Sequence, residues 1–305
     1  VPDWIFPPRL APGGTIGVAA VSGPVDAGRL RTGVQSLEAR GYRVVLAPNV
    51  ATHRGFLAGS DADRAEGYRA LLNDPRIDAI FFARGGYGAS RILPRLDAEE
   101  ARARPRIHLG GSDLTALFAF LGVRAGLVCF YGPMVAVSMA DPAATLDWEA
   151  VLSGGTPAPH GFSGDHVLAH GTGEGPLLGG CLSLLASLAG TPEAVPGKGA
   201  VLFWEDVGEE VYRLDRMLTQ LERSGTFDGL QAMLIGSISP GARGGEETPE
   251  VVGAWLRDRF AGAPFPVVRG FPAGHLRDGR TLPLGVTVRL DTARGVLEFA
   301  GPGVS

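Results

Sequence analysis

Ser112 has the setting that most invites chemistry. It stands in Gly110-Gly111-Ser112-Asp113, after the strand-like run Arg106 to Leu109 and before Leu114, Leu117, Phe118 and Leu121 at helical spacing. A glycine pair permits a tight strand-to-helix turn. Such an elbow lifts the hydroxyl above a sheet and aims the first free N–H groups of the helix at the same point. Those N–H groups, with the helix dipole, suit an oxyanion, so the chemistry would be nucleophilic acyl transfer. The competing reading is a plain helix cap, because Ser-Asp before an apolar run is a common cap.

Other patterns fail on spacing. The G-x-S-x-G elbow is broken by Leu114 in place of its last glycine. Gly190 to Gly199 ends in Gly-Lys like a phosphate-binding loop, but Gly199 stands where a Ser or Thr must hold magnesium. Gly85-Gly86-Tyr87-Gly88 lacks the third glycine of the dinucleotide fingerprint. His160, His166 and His170 have ligand-like intervals but no H-E-x-x-H, and they read as solvated loop histidines. Cys129 and Cys181 sit in apolar segments and read as small buried hydrophobes.

The elements that must position Ser112 alternate between two periods. Strands are expected at Thr15–Val21, Tyr42–Leu46, Asp78–Ala83, Arg106–Leu109 and Leu127–Phe130. Between them, Leu30, Val34 and Leu37 form one helical stripe, and Ser60 caps a helix running to Asn73. Continuous apolar strands alternating with helices imply a doubly wound parallel sheet covered on both faces, flavodoxin-like in type. Ligands bind outside the carboxyl ends of such strands, which gathers Ser22, Arg84–Gly88 and Gly110–Asp113 on one edge. Residues 153–178 are rich in Gly, Pro and His with little periodicity and read as a linker. Beyond it, strands at Ala200–Trp204 and Leu230–Ile238, helices through Val211–Leu221 and from Thr248, and a hairpin over 286–299 predict a mixed, more β-rich domain. The domains are thus 1–152 and 179–305, joined by the linker.

Composition sets the outer limits. The 305 residues suffice for two domains with their own cores. The 46 glycines are about twice the usual ~7% and follow no three-residue period, which excludes collagen. A net charge of −4 argues against a nucleic-acid partner, and the basic residues, 27 arginines and Lys198, form no clustered patch. Two cysteines argue against a disulfide framework and fit a reducing, cytoplasmic setting. No apolar run is long enough for a membrane span, and Val1 to Leu10 carries three prolines and no signal pattern.

Three blocks then carry a resemblance. Arg84-Gly85-Gly86-Tyr87-Gly88, Gly111-Ser112-Asp113-Leu114-Thr115 and Tyr131-Gly132-Pro133-Met134 resemble the N-terminal motifs of LD-carboxypeptidases, the serine peptidases that include microcin C immunity hydrolases. Gly179 to Ser183 with Gly190-Thr191-Pro192 resembles the start of that family's second domain. Leu202 to Val207, Tyr212 to Leu218, Gly274-His275 and Leu282 to Gly285 continue it in order. Three positions depart from the family pattern: Gly111 for a frequent aromatic residue, Tyr131 for a frequent histidine and Cys181 for a usual asparagine.

The resemblance implies Ser112 as nucleophile, His275 as general base and then acid, and Glu205 as the carboxylate orienting the histidine. Asp206, Glu209 and Glu210 compete with Glu205 for that last role. The N–H of Asp113 and one from Gly85–Gly86, taken as Gly86, are the oxyanion-hole candidates; the bland reading of the glycine pair is a turn. The implied substrate is a murein tetrapeptide, cleaved between an L-configured centre and a terminal D-alanine. The implied state is a homodimer, and no metal or organic cofactor is called for. A carboxypeptidase must neutralise a free carboxylate; Arg84 is the candidate, with Arg91 better suited to a surface ion pair. The rival readings are a microcin-type hydrolase of aminoacyl-nucleotide amides and a non-catalytic protein holding a small anion in its glycine loops. The first would favour an aromatic platform in 153–178, where Phe162 is the sole aromatic residue.

Overall fold

The first half of the chain forms β1 (Thr15–Ala19), β2 (Arg43–Leu46), β3 (Ala79–Phe82), β4 (Ile107–Gly110) and β5 (Cys129–Tyr131) in a computed structural model that describes residues 3–240 and 248–305. These strands pair in parallel in the order β2-β1-β3-β4-β5, the doubly wound arrangement expected. Every residue of β1, β3, β4 and β5 is buried, as befits strands covered on both faces, while the edge strand β2 is partly open. The expected helices are Ala27–Ala39, Asp61–Asn73 and Leu114–Ala125. Ser60 and Asp63 form a capping box at the second of them, a cap of the kind that contributes about 1 kcal/mol. Gly126, in the left-handed conformation, ends the third.

The second half contributes β6 (His160–Gly161), β7 (Val167–Ala169), β8 (Thr172–Cys181), β9 (Val201–Glu209), β10 (Ala232–Pro240), β11 (Val267–Val268), β12 (Leu282–Leu284), β13 (Thr287–Asp291) and β14 (Val296–Phe299). All but β12 form one mixed eight-stranded sheet, ordered β6-β14-β13-β8-β9-β10-β11-β7. β13 and β14 are the expected hairpin.

Two features differ from the sequence reading. The stretch 153–178, expected to be a linker, carries β6, β7 and most of β8, and β8 lies inside the sheet between β13 and β9. Close packing supplies the reason it looked like a loop. A Cβ on Gly173 would stand 2.0 Å from the Gln231 carbonyl oxygen, and one on Gly175 would stand 2.1 Å from that of Gly199. Glycines required by neighbouring backbone read, in sequence, as turn residues. The second difference is β12, which returns to the first sheet and pairs antiparallel with β5 at its edge, where Pro283 is tolerated.

One apolar core runs through both lobes, joining Leu109 and Phe130 to Leu177, Val201, Phe203 and Leu290. A second cluster, including Leu202, Trp204, Leu214, Leu218 and Phe260, covers the outer face of the second sheet. The shared core fixes how the lobes meet, and hence the cleft between them. Among the described residues no helix is long and apolar enough to cross a membrane.

Candidate active site

β4 ends at Gly110, and the chain turns into the helix Leu114–Ala125 through Gly111, Ser112 and Asp113. Ser112 has φ of 60° and is the one non-glycine residue with positive φ among the described residues. That conformation costs an L-residue on the order of 1–2 kcal/mol, so its surroundings must hold it. Thr115 does so from one side: its N–H and its Oγ1 both donate to the Ser112 carbonyl, at 2.9 and 2.7 Å. From the other side the Ser112 N–H donates to the Tyr131 hydroxyl at 2.8 Å. The Ser112 hydroxyl caps nothing.

Asp113 precedes the helix but does not cap it with its side chain. Its buried Oδ2 accepts from Ser22 Oγ at 2.6 Å and from the Ala89 N–H at 2.8 Å, tying together the loops that leave β1, β3 and β4. Among the described residues the Asp113 and Gly86 N–H groups find no acceptor. Gly85 lies so close to the serine that a Cβ there would stand 2.8 Å from Ser112 Cβ and 3.0 Å from its Oγ.

The carboxylate comes from β9, whose side chains alternate. Val201 and Phe203 face the shared core, and Leu202 and Trp204 face the outer cluster. Glu205 falls on the inward parity and Asp206 on the outward one. Asp206 accepts from the Ser183 and Val207 N–H groups at 2.7 and 2.8 Å, and Glu209 and Glu210 lie against Arg213 at 3.6 and 3.3 Å. Only Glu205, fully buried, reaches His275: its Oε2 accepts from the His275 Nδ1–H at 2.7 Å and the His275 main-chain N–H at 3.0 Å. With Nδ1 carrying the proton, Nε2 holds the free lone pair. Burial pulls the imidazolium down, but the Glu205 hydrogen bond and charge, with Asp206 behind, outweigh it and hold His275 above its ordinary value of 6.5.

Ser112 and His275 line one cavity of about 270 Å³ between the lobes. No hydrogen bond joins the serine hydroxyl to the ring; in empty sites such contacts are often long and tighten when substrate closes the space. Arg29, Arg277 and Arg280 line the same cavity. Arg29 donates to the Ala136 and Val137 carbonyls at 2.8 Å each, and Arg277 pairs with Asp141 at 3.2 Å. Arg84 is not in this lining. It is exposed, lies beside Gly86 and donates to the Pro24 carbonyl at 3.1 Å. Arg91 pairs with Asp61 at 2.9 Å on the surface.

Tyr131, Thr115 and these three arginines were given no role by sequence reasoning. Tyr131 had a usable signal: it ends a strand beside β4, at the carboxyl edge where ligands gather. Arg277 and Arg280 follow His275 within one turn-rich segment, but nothing local says that they face it. Among the described residues no three His, Cys, Asp or Glu side chains form a metal-ligating group, and His160 packs edge-on against Phe271.

Models of the LD-carboxypeptidase N-terminal and C-terminal domains match residues 16–132 and 174–290. The chain belongs to the LD-carboxypeptidase family. This LD-carboxypeptidase family member is 42% identical to a putative carboxypeptidase of Streptomyces coelicolor, covering 99% of this chain and 98% of that one. It is 32% identical to a probable murein peptide carboxypeptidase of Bacillus subtilis, covering 94% and 92%. The solved structure of MccF in complex with glutamyl sulfamoyl guanosine matches with a TM-score of 0.88 at 25% identity, covering 98% of this chain and 99% of that one.

Proposed function

We propose that this protein is a serine LD-carboxypeptidase that removes a terminal D-alanine from murein tetrapeptides. The observation that carries the reading is His275, held by the buried Glu205, lining the same cavity as Ser112 in its strained backbone conformation. His275 Nε2 takes the Ser112 proton as Oγ attacks the carbonyl carbon. Glu205 keeps the imidazole in the required tautomer and stabilises the imidazolium. The tetrahedral oxyanion is received by the Asp113 and Gly86 N–H groups at the positive end of a helix. His275 then protonates the departing amine, and water resolves the acyl-enzyme by the same route. Arg29, Arg277 and Arg280, which line the cavity, are the cations offered to the substrate carboxylate, with Arg84 outside that lining beside Gly86.

The peptide substrate rests on the relatives' names; the nucleophilic acyl transfer rests on the residues. The match to MccF favours a second reading, hydrolysis of aminoacyl-nucleotide amides. Against it, Phe162, the sole aromatic side chain in 153–178, is half-buried and packs on the core rather than offering a free face. Mass spectrometry of a murein tetrapeptide and of an aminoacyl sulfamoyl adenosine, each incubated with wild type and Ser112→Ala, tests both. Loss of one D-alanine with wild type alone is expected. Cleavage of the nucleotide amide alone would replace the peptide reading, and equal activity of Ser112→Ala would end the serine mechanism.

A further inference from the structure

We infer that the Tyr131 hydroxyl is a positioning group for the reaction, joining the main chain of the nucleophile in one lobe to the carboxylate of the other. The inference rests on the serine-hydrolase reading above. Tyr131 ends β5, is buried, and packs edge-on against Phe203 of β9 at 5.7 Å between ring centroids. Its oxygen accepts from the Ser112 N–H at 2.8 Å and donates to Glu205 Oε1 at 2.6 Å. The two bonds leave no freedom of direction. An amide can only donate, so the phenol oxygen accepts there. An ionised carboxylate can only accept, so the single phenol proton goes to Glu205. Burial and the Glu205 charge hold the phenol well above its ordinary range, so it stays a donor.

The result is an unbroken chain of hydrogen bonds: Ser112 N–H to Tyr131, Tyr131 to Glu205 Oε1, and Glu205 Oε2 to His275. Both Glu205 oxygens are occupied, so the carboxylate cannot turn away from the imidazole. The other face of Ser112 is held in a parallel way. Thr115 Oγ1 donates to the Ser112 carbonyl and accepts from the Cys181 N–H of the second lobe at 2.9 Å. That carbonyl shares its planar peptide group with the Asp113 N–H, so the contact also aims the proposed oxyanion donor. Both peptide groups flanking the nucleophile are thus tied to the lobe that carries the base. Ser112's own N–H is committed to Tyr131, which leaves the oxyanion to Asp113 and the glycine loop. A phenyl ring would fill the same space but make neither bond.

The test compares wild type with Tyr131→Phe by three readings: the rate at which a fluorophosphonate labels Ser112, kcat and KM on a tetrapeptide, and the midpoint of the His275 imidazole titration by NMR. The charged and titratable groups near that ring are Glu205 and Asp206 of β9, Tyr131 of β5 and, around the cavity, Arg29, Arg277, Arg280 and Asp141. Labelling and kcat should fall by about tenfold or more, as for a lost buried hydrogen bond, with KM little changed. The His275 midpoint should move up, because Glu205 freed from the phenol offers its full charge to the imidazolium. An unchanged labelling rate with an unmoved midpoint reduces Tyr131 to packing and overturns the inference. Should Tyr131→Phe not fold, difluorotyrosine at the same position keeps the shape and donates more strongly, so the midpoint should move down; no movement overturns the inference equally. Wild type that takes no label at Ser112 defeats the nucleophile reading itself, and the inference with it, a result visible before any variant is made.

Discussion

Glu205 holds His275 at two points, with one carboxylate oxygen 2.7 Å from the ring Nδ1 and 3.0 Å from the main-chain nitrogen of a residue 70 positions away. The double contact fixes both where the histidine sits and which of its nitrogens is protonated. Its charge has a measurable consequence. The folded imidazolium is favoured beyond the ordinary value of 6.5, despite burial that opposes it. The base must be neutral, so kcat/KM should rise with pH along a limb centred above 6.5. The linked stability runs the other way: it is fully present below the unfolded value and is lost as pH rises through the folded one. Glu205→Gln removes the charge, leaving burial to prevail; the His275 midpoint, read by NMR, should drop below 6.5. Turnover should fall by roughly 10³–10⁴, as when a triad carboxylate is made neutral. A limb centred below 6.5 in wild type would contradict this account.

Ser112 pays for its position with backbone strain. Ser112→Gly and Ser112→Ala should both abolish turnover, but the glycine variant should be the more stable by about 1 kcal/mol, because glycine accepts positive φ without penalty. Thermal unfolding of the pair checks this. A glycine variant that melts below the alanine variant would show that the elbow stores no strain.

Gly85→Ala introduces a Cβ only 2.8 Å from Ser112 Cβ, and neither backbone can yield without moving the loop that supplies Gly86. The expected loss is on the order of 10²–10³ in kcat, the range for one misplaced oxyanion donor, with KM nearly constant. Steady-state kinetics on the tetrapeptide decide it. A rise in KM alone would place Gly85 in substrate binding instead.

Arg84 and Arg29 make a discriminating pair. Arg84 bonds to the Pro24 carbonyl on the surface, whereas Arg29 lines the cavity. Arg29→Ala should raise KM for a peptide with a free carboxylate by about tenfold, the scale of one charge-assisted contact, and should leave inhibition by the corresponding C-terminal amide unchanged. Arg84→Ala should change neither. The reverse pattern would return the carboxylate to the glycine loop.

Much of the scaffold was legible because its cause is local. The five parallel strands, their order class, the Ser60 cap and the Ser112 turn follow from apolar runs, periodicity and glycine punctuation. β8 was hidden for an equally physical reason: its glycines answer to the backbones of Gln231 and Gly199, which no local window contains. β12 was placed with the second domain by position in sequence, but its partner is Tyr131's strand.

For the site, the family motifs nominated Ser112, His275 and Glu205, with Asp206, Glu209 and Glu210 as rival carboxylates. Only the tertiary structure shows that Glu205, rather than its three rivals, meets His275, because the inward parity of Glu205 depends on which face of β9 meets the first lobe. It also brought Arg29, Arg277 and Arg280 to the cavity lining, and it turned Tyr131 from a departure in a motif into a link between lobes. Periodicity along a chain reports which side chains share a face. Which faces then meet across a cleft is set by packing between segments far apart in sequence.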